Sequence, residues 1–225
     1  VSGGPAVKIC GLVRAEDAAL AGRLGADYVG SIFAGGPRMI DPATARANVA
    51  AARAAAPGRA PLAVGVMGTQ RAAEIAAIAN ASTLDVVQLH ADPDARDVAA
   101  VREVWGGRVW AVLRIAGTDL PPQTEALFAT ADAVVLDAKV DGPQLGGTGV
   151  ALAWEALADA LAPFRGRATL VLAGGLRPEN VGAAVAALGP DGVDVSSGVE
   201  RAPGEKDPER VAAFLAAARS ATTSR

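Results

Sequence analysis

The stretch 168–200, ATLVLAGGLRPENVGAAVAALGPDGVDVSSGVE, decides how this chain folds. It holds an apolar run over 168–173, a turn at Gly174-Gly175, an alanine-rich segment over 178–188 and a second apolar run over 192–196. Unbroken apolar runs of this length read as strands buried on both faces, and Pro178 after Arg177 suits the first position of a helix between them. The second run closes on Ser196-Ser197-Gly198, so each strand ends in a turn whose backbone N–H groups are free to approach an anion.

Outward from that unit the same pattern recurs. Further strands are predicted near 6–10, 27–33, 61–66, 84–89, 108–115 and 132–137, with helices near 15–24, 42–56, 70–80, 93–105, 150–162 and 207–219. Pro121-Pro122 weaken a further helix over 119–129, because proline is tolerated only in a first turn. Asp41 before Pro42 has the chemistry of a helix cap. The expectation is an α/β fold, a single-domain (β/α)8 TIM barrel over 1–225, somewhat shorter than the typical ~250 residues. An open doubly wound sheet is the competing architecture, since alternation alone does not demand closure. The count of strands and the glycine turns after the seventh and eighth favour the barrel. Both architectures deliver their chemistry to the C-terminal ends of the strands.

Composition narrows the class of function. The chain has 225 residues, 51% of them hydrophobic, in short bursts far below the roughly 20 residues of a membrane span. A formal charge of −3 argues against a nucleic-acid surface, and a single cysteine excludes an internal disulfide or a cysteine-based zinc cluster. The N-terminus carries no secretory pattern, and a reducing cytoplasm is expected. The tail 220–225 is expected to fray. Trp105, Trp110 and Trp154 are read as packing.

Two acid–base candidates close apolar runs far apart in sequence. Cys10 ends Ala6-Val7-Lys8-Ile9-Cys10, and a thiol at a barrel's catalytic face can act as a base if its surroundings favour thiolate. The competing reading is a small buried hydrophobe. Lys8, two residues earlier, shares its face of the strand and could support the thiolate or a carboxylate across the barrel. Asp137 ends Ala133-Val134-Val135-Leu136-Asp137; burial there would raise its pKa and keep it protonated, although strand-end aspartates also serve as simple turn caps. Gly174, Gly175, Asp194, Ser196, Ser197 and Gly198 form a candidate phosphate cradle, with Gly146-Gly147-Thr148-Gly149 either a third contributor or a mobile loop over the site. Arg38 could clamp a carboxylate, though a surface arginine is the bland alternative. Gln88 and His90 stand together at the fourth strand end, where a lone histidine is more often structural.

Taken in order, Lys8-Ile9-Cys10-Gly11, Asp85-Val86-Val87-Gln88-Leu89-His90, Leu136-Asp137-Ala138, Gly146-Gly147-Thr148-Gly149, Leu172-Ala173-Gly174-Gly175-Leu176, Val193-Asp194-Val195-Ser196-Ser197-Gly198-Val199-Glu200 and Lys206-Asp207 resemble the phosphoribosylanthranilate isomerases over nearly the whole chain. The resemblance implies a cofactor-free, metal-free Amadori rearrangement of N-(5-phosphoribosyl)anthranilate to 1-(2-carboxyphenylamino)-1-deoxyribulose 5-phosphate in tryptophan biosynthesis. It implies Asp137 as general acid, Cys10 as general base, Arg38 on the anthranilate carboxylate and the two glycine turns on the phosphate. The expected partner is this phosphorylated small molecule, with neither nucleic acid nor membrane, and the protein is either a monomer or a homodimer. Departures from the family pattern fall at Met67-Gly68, where Phe usually follows the second Val, at Gly35-Gly36, where a serine is common, and at Ala91, where Gly is usual. They touch the walls around the aromatic ring and leave acid, base and cradle intact. Two alternatives stand beside this reading. One is the related barrel isomerase of histidine biosynthesis, expected to carry an aspartate where Cys10 stands; the other is a barrel that binds a phosphorylated ligand without turnover.

Overall fold

In a computed structural model of the chain, strand β1 (Ala6–Ile9) pairs in parallel with β2 (Tyr28–Ile32) on one side and β8 (Gly192–Val195) on the other. The sheet is therefore a closed barrel, in sequence order through β3 (Leu62–Met67), β4 (Val86–Leu89), β5 (Arg108–Ile115), β6 (Ala133–Ala138) and β7 (Thr169–Ala173). Closure removes the open-sheet alternative. The structure describes residues 4–115, 119–138 and 151–221.

Around the barrel lie α1 (Ala15–Arg23), α2 (Pro42–Ala55), α3 (Ala72–Ala81), α4 (Ala95–Val104), α5 (Thr124–Thr130), α6 (Ala151–Leu161), α7 (Val181–Leu188) and α8 (Pro208–Ser220). Asp41 caps α2 as its sequence suggests, accepting from the Thr44 N–H at 2.9 Å, and Asp207 caps α8 in the same way. Where a helix is expected from 119, α5 starts only at Thr124. Pro121 and Pro122 lack N–H groups, and the Pro121 carbonyl instead accepts from both the N–H and the hydroxyl of Thr124. A 3-10 turn, Ala162–Phe164, follows α6. A hairpin of β9 (Glu200–Ala202) and β10 (Glu205–Lys206), which the apolar pattern does not announce, follows the barrel's last strand.

Strand parity divides the core. Val7, Ile9, Val134, Leu136, Leu170 and Leu172 point outward into the layer between sheet and helices, while Val64, Val86, Trp110, Val112, Val135 and Val171 fill the barrel. Trp110 packs edge-on against Tyr28 at 4.9 Å, the packing role expected of it.

The N-terminal rim is stitched by one repeated device. Asp27, Asp85, Asp132 and Asp191 each precede an even-numbered strand, and each carboxylate accepts the N–H of a residue in the preceding odd strand: Val7 at 2.9 Å, Ala63 at 2.7 Å, Val109 at 2.7 Å and Leu170 at 2.8 Å. Their backbone carbonyls reach the other way, to the N–H groups of Leu62, Arg108, Thr169 and Ala6. Strand pairing thus begins, four times over, from an aspartate bonded to both neighbours. Chemistry is left to the opposite rim.

Candidate active site

At the C-terminal rim the inward-facing residues of several strands converge on a cavity of about 420 Å³. Cys10 and Asp137 both line it, so the barrel brings the two acid–base candidates into one chamber across 127 residues of sequence (137 − 10). Gln88, His90, Gly174, Gly175, Asp194, Ser196, Ser197 and Gly198 line the same cavity. Of the polar residues singled out in the sequence, Lys8 and Arg38 stand apart from that lining. Gly146-Gly147-Thr148-Gly149 and the side chain of Trp154 lie outside what the structure describes.

Cys10 follows β1 directly, its N–H still bonded to the Val195 carbonyl at 2.8 Å. Two residues back on the same face, Lys8 is 1% exposed and its Nζ donates to Asp194 Oδ2 at 2.7 Å. Burial works against the Lys8 ammonium, but Asp194 and the Cys10 sulfur outweigh it and hold its pKa above the ordinary value. Burial pushes the Cys10 thiol up, with Lys8 opposing and Asp194 adding to the rise, so the resting group is a thiol beside a cation. Asp137 is pushed up too, first by desolvation and then by the Asp194 charge, against Arg114 and Lys8. Both shifts favour the protonated forms. Burial, with Arg114 and Lys8, lowers His90, so its imidazole is neutral near pH 7.

The cradle depends on glycine. Gly174 and Gly175 have φ of 89° and 62°, a left-handed conformation that turns the chain sharply at the end of β7. A Cβ on Gly198 would lie 1.9 Å from the Leu176 carbonyl oxygen, so the two turns approach as closely as they do only because residue 198 has no side chain. Gln88 Oε1, His90 Nδ1, Asp194 Oδ1 and Ser196 Oγ are buried without a protein partner, and all four belong to cavity-lining residues. Each such group costs about 1–3 kcal/mol when left unpaired, which a binding site tolerates because a hydroxylated ligand can satisfy it.

Of the departures expected at the wall, Gly35 lines the cavity, whereas Met67 packs in the layer between sheet and helices; sequence reading passed over the rest of the wall. Ile32 and Val66 line the cavity beside Ala34 and Gly35, and the signal that could have found them is parity, since each is an inward position near a strand's end. It also left Glu200 unassigned. That carboxylate accepts from Arg38 Nε at 2.8 Å and Nη2 at 2.6 Å, and from Lys206 Nζ at 2.8 Å. Arg38 is therefore no free surface arginine.

Comparison with known proteins agrees with this arrangement. Residues 7–217 match the family model described as N-(5'phosphoribosyl)anthranilate (PRA) isomerase. The N-(5'-phosphoribosyl)anthranilate isomerase of Rubrobacter xylanophilus is 41% identical over 217 residues, covering 95% of this chain and 98% of its own. The crystal structure of phosphoribosyl anthranilate isomerase from Thermotoga maritima superposes with a TM-score of 0.79 at 32% identity, covering 95% of this chain and 98% of that one. A phosphoribosyl anthranilate isomerase solved in complex with reduced 1-(o-carboxyphenylamino)-1-deoxyribulose 5-phosphate superposes with a TM-score of 0.75 at 29% identity, over 95% and 98% of the two chains. With a closed barrel, a thiol and a carboxyl in one chamber and these matches over nearly its whole length, the chain belongs to the N-(5'-phosphoribosyl)anthranilate isomerase family.

Proposed function

We propose that the chain acts as one catalytic domain performing the family's Amadori rearrangement, with Asp137 as general acid and Cys10 as general base. The observation that carries this reading is that both groups line one cavity which also contains two close-packed glycine turns suited to a phosphate. In the proposed sequence, protonated Asp137 gives its proton to the ribose ring oxygen. The C1–O bond breaks and the anilino nitrogen's lone pair forms an iminium. Cys10, as thiolate, removes the proton from C2; the electrons of the C–H bond form the C1–C2 double bond and neutralise the nitrogen, giving an enolamine. Tautomerisation to the ketone completes the reaction.

The electrostatics suit each step. Desolvation keeps Asp137 protonated at a higher pH than an exposed carboxyl. The thiolate is costly at rest but is formed beside Lys8 and next to a substrate that becomes cationic, which lowers that cost where it is needed. The turns at Gly174-Gly175 and Ser197-Gly198 hold the phosphate and fix the sugar between the two groups, so positioning shares the work with proton transfer. Arg38 meets the anthranilate carboxylate, while Gln88, His90, Asp194 and Ser196 meet substrate polar atoms. A lone working thiol suits a reducing cytoplasm, and among the described residues no helix is long and apolar enough to cross a membrane. The partner is the phosphorylated aminosugar, with neither nucleic acid nor membrane, and the working unit is a monomer or a homodimer.

The test is turnover by the purified protein, with complementation of a tryptophan auxotroph lacking only this step. Cys10→Ala and Asp137→Asn should each lose about 10²–10⁴-fold in kcat while still binding the product. Wild-type turnover in both variants would overturn the assignment.

A further inference from the structure

We propose that Glu200 and Lys206 are positioning residues for Arg38, aiming its guanidinium at the substrate's carboxylate and keeping the cluster cationic. The inference rests on the carboxylate-clamp reading of Arg38. A guanidinium carries five N–H donors. Glu200 takes the Nε edge in a bidentate fork, at 2.8 and 2.6 Å, and among the described residues no hydrogen bond is made by Nη1. The Nη1–Nη2 end therefore keeps donors for a second fork, the geometry that matches a planar carboxylate.

The frame behind Arg38 is rigid. The Glu200 side chain is 4% exposed and that of Lys206 1%. Lys206 Nζ bonds both Glu200, at 2.8 Å, and the Ser196 carbonyl, at 3.0 Å, so the buttress is tied to the same loop that lines the cavity. The Lys206 backbone N–H in turn reaches Asp17, and Arg14 links Asp17 to Glu205, locking the hairpin of Glu200 and Lys206 onto α1. The stem of Arg38 lies across Gly11, its Cδ 2.7 Å from where a Cβ on that glycine would sit, next to the base at Cys10.

Charge explains why two cations are needed. Arg38 and Glu200 alone sum to zero, and an incoming carboxylate would meet Glu200's own charge. Burial pulls the Lys206 pKa down against the opposing pull of Glu200, and while its ammonium is protonated the three groups carry a net positive charge that attracts an anion. Burial opposes the Glu200 carboxylate, but the hydrogen bonds from Arg38 and Lys206 outweigh it, so Glu200 stays ionised at neutral pH.

Two substrates separate this role from general scaffolding: the phosphoribosyl adduct of anthranilate, and that of aniline, which lacks only the carboxylate. Glu200→Gln should lower the selectivity for the first over the second, as the ratio of kcat/KM values, about tenfold, expressed mainly in KM. Glu200→Asp should recover part of it. Lys206→Met leaves the fork in place and should lower the ratio by a smaller factor, which supplies a reading if Glu200→Gln does not fold. Loss of activity on both substrates alike would overturn the proposal in favour of simple structural support. A fall in KM for the carboxylated substrate would also overturn it, making Glu200 a competitor for Arg38. Arg38→Met is the control. If it leaves the ratio unchanged, the clamp reading itself fails and the proposal with it; if it collapses the ratio while Glu200→Gln and Lys206→Met do not, only the proposal fails.

Discussion

Replacing Gly30 by alanine should disable the site without touching a chemical group. Gly30 lies on β2 beside the thiol, and its backbone torsion is one that alanine adopts freely, so space alone decides the outcome. An added Cβ would stand 2.8 Å from Cys10 Sγ, 3.1 Å from its Cα and 3.2 Å from its Cβ. Ordinary contacts between such atoms are about 3.5–4.0 Å, so the sulfur must retreat by roughly 0.7–1.2 Å. The backbone has little room to share that shift, because the Cys10 N–H is bonded to Val195 at 2.8 Å and the Gly30 carbonyl accepts from Leu12 at 3.0 Å. A displacement of about 1 Å in a reacting group costs on the order of 10²-fold in rate, and overpacking costs about 1–3 kcal/mol of stability. Steady-state kinetics with a thermal melt read both numbers. Gly65→Ala is the matched control: its Cβ would meet the ends of Leu84 and Met67, at 2.3 and 2.9 Å, on the helix-facing side, so it should lose stability and keep kcat. A folded Gly30→Ala protein with wild-type kcat would refute the placement of the base.

The remaining expectations concern charge. The profile of kcat/KM against pH should be bell-shaped, because the acid must be protonated and the base ionised; its limbs should lie above 3.8, for raised Asp137, and above 9.0, for raised Cys10. Between them the working form is a minor tautomer with the thiol's proton moved to the carboxyl, and an alkaline limb that stays in place in Cys10→Ser would refute the assignment. Asp137→Asn should raise the melting temperature at pH 7 by about 2–4 °C while losing kcat as above, since a carboxyl whose folded pKa is raised stabilises the fold only at low pH and loses that contribution as pH climbs through the folded value. Asp132→Ala should do the reverse, costing about 1–3 kcal/mol in a urea titration by stranding the Val109 N–H, with kcat preserved. Lys8→Met should cost about 3–5 kcal/mol by leaving Asp194 buried and unpaired, and adding Asp194→Leu should return most of it.

Most of the barrel was legible because its strands are buried on both faces, and that burial writes itself into sequence as unbroken apolar runs such as Leu170-Val171-Leu172. Helix starts were legible where a side chain does the capping, as at Asp41, and less so at α5, where paired prolines push the start to Thr124, and at α7, which starts at Val181 and not at Pro178. The hairpin of β9 and β10 was hidden for the opposite reason. Held by ion pairs among Arg14, Asp17, Glu200, Glu205 and Lys206, it has no apolar period to read. Arg38 shows the same limit at the site. Its residue type advertises a carboxylate partner, but that Glu200 already occupies one edge follows from a contact spanning 162 residues, which no local pattern carries.

Position along a strand, more than residue type, separates the aspartates that build this protein from those proposed to work in it. Asp27, Asp85, Asp132 and Asp191 enter their strands at the N-terminal rim, and each carboxylate is satisfied by a strand N–H. Arginines reinforce three of them: Arg219 on Asp27, Arg53 on Asp85 and Arg102 on Asp132. Asp137 and Asp194 leave their strands at the other rim, where the chain turns around a cavity and supplies fewer donors. There Asp194 pairs with Lys8 at 2.7 Å, and its charge helps to push the pKa of Asp137 up. The sheet's direction thus sorts identical side chains: a carboxyl that meets backbone N–H groups is spent on pairing strands, and one that meets a desolvated chamber beside another carboxylate has its pKa raised, as the acid role proposed for Asp137 requires.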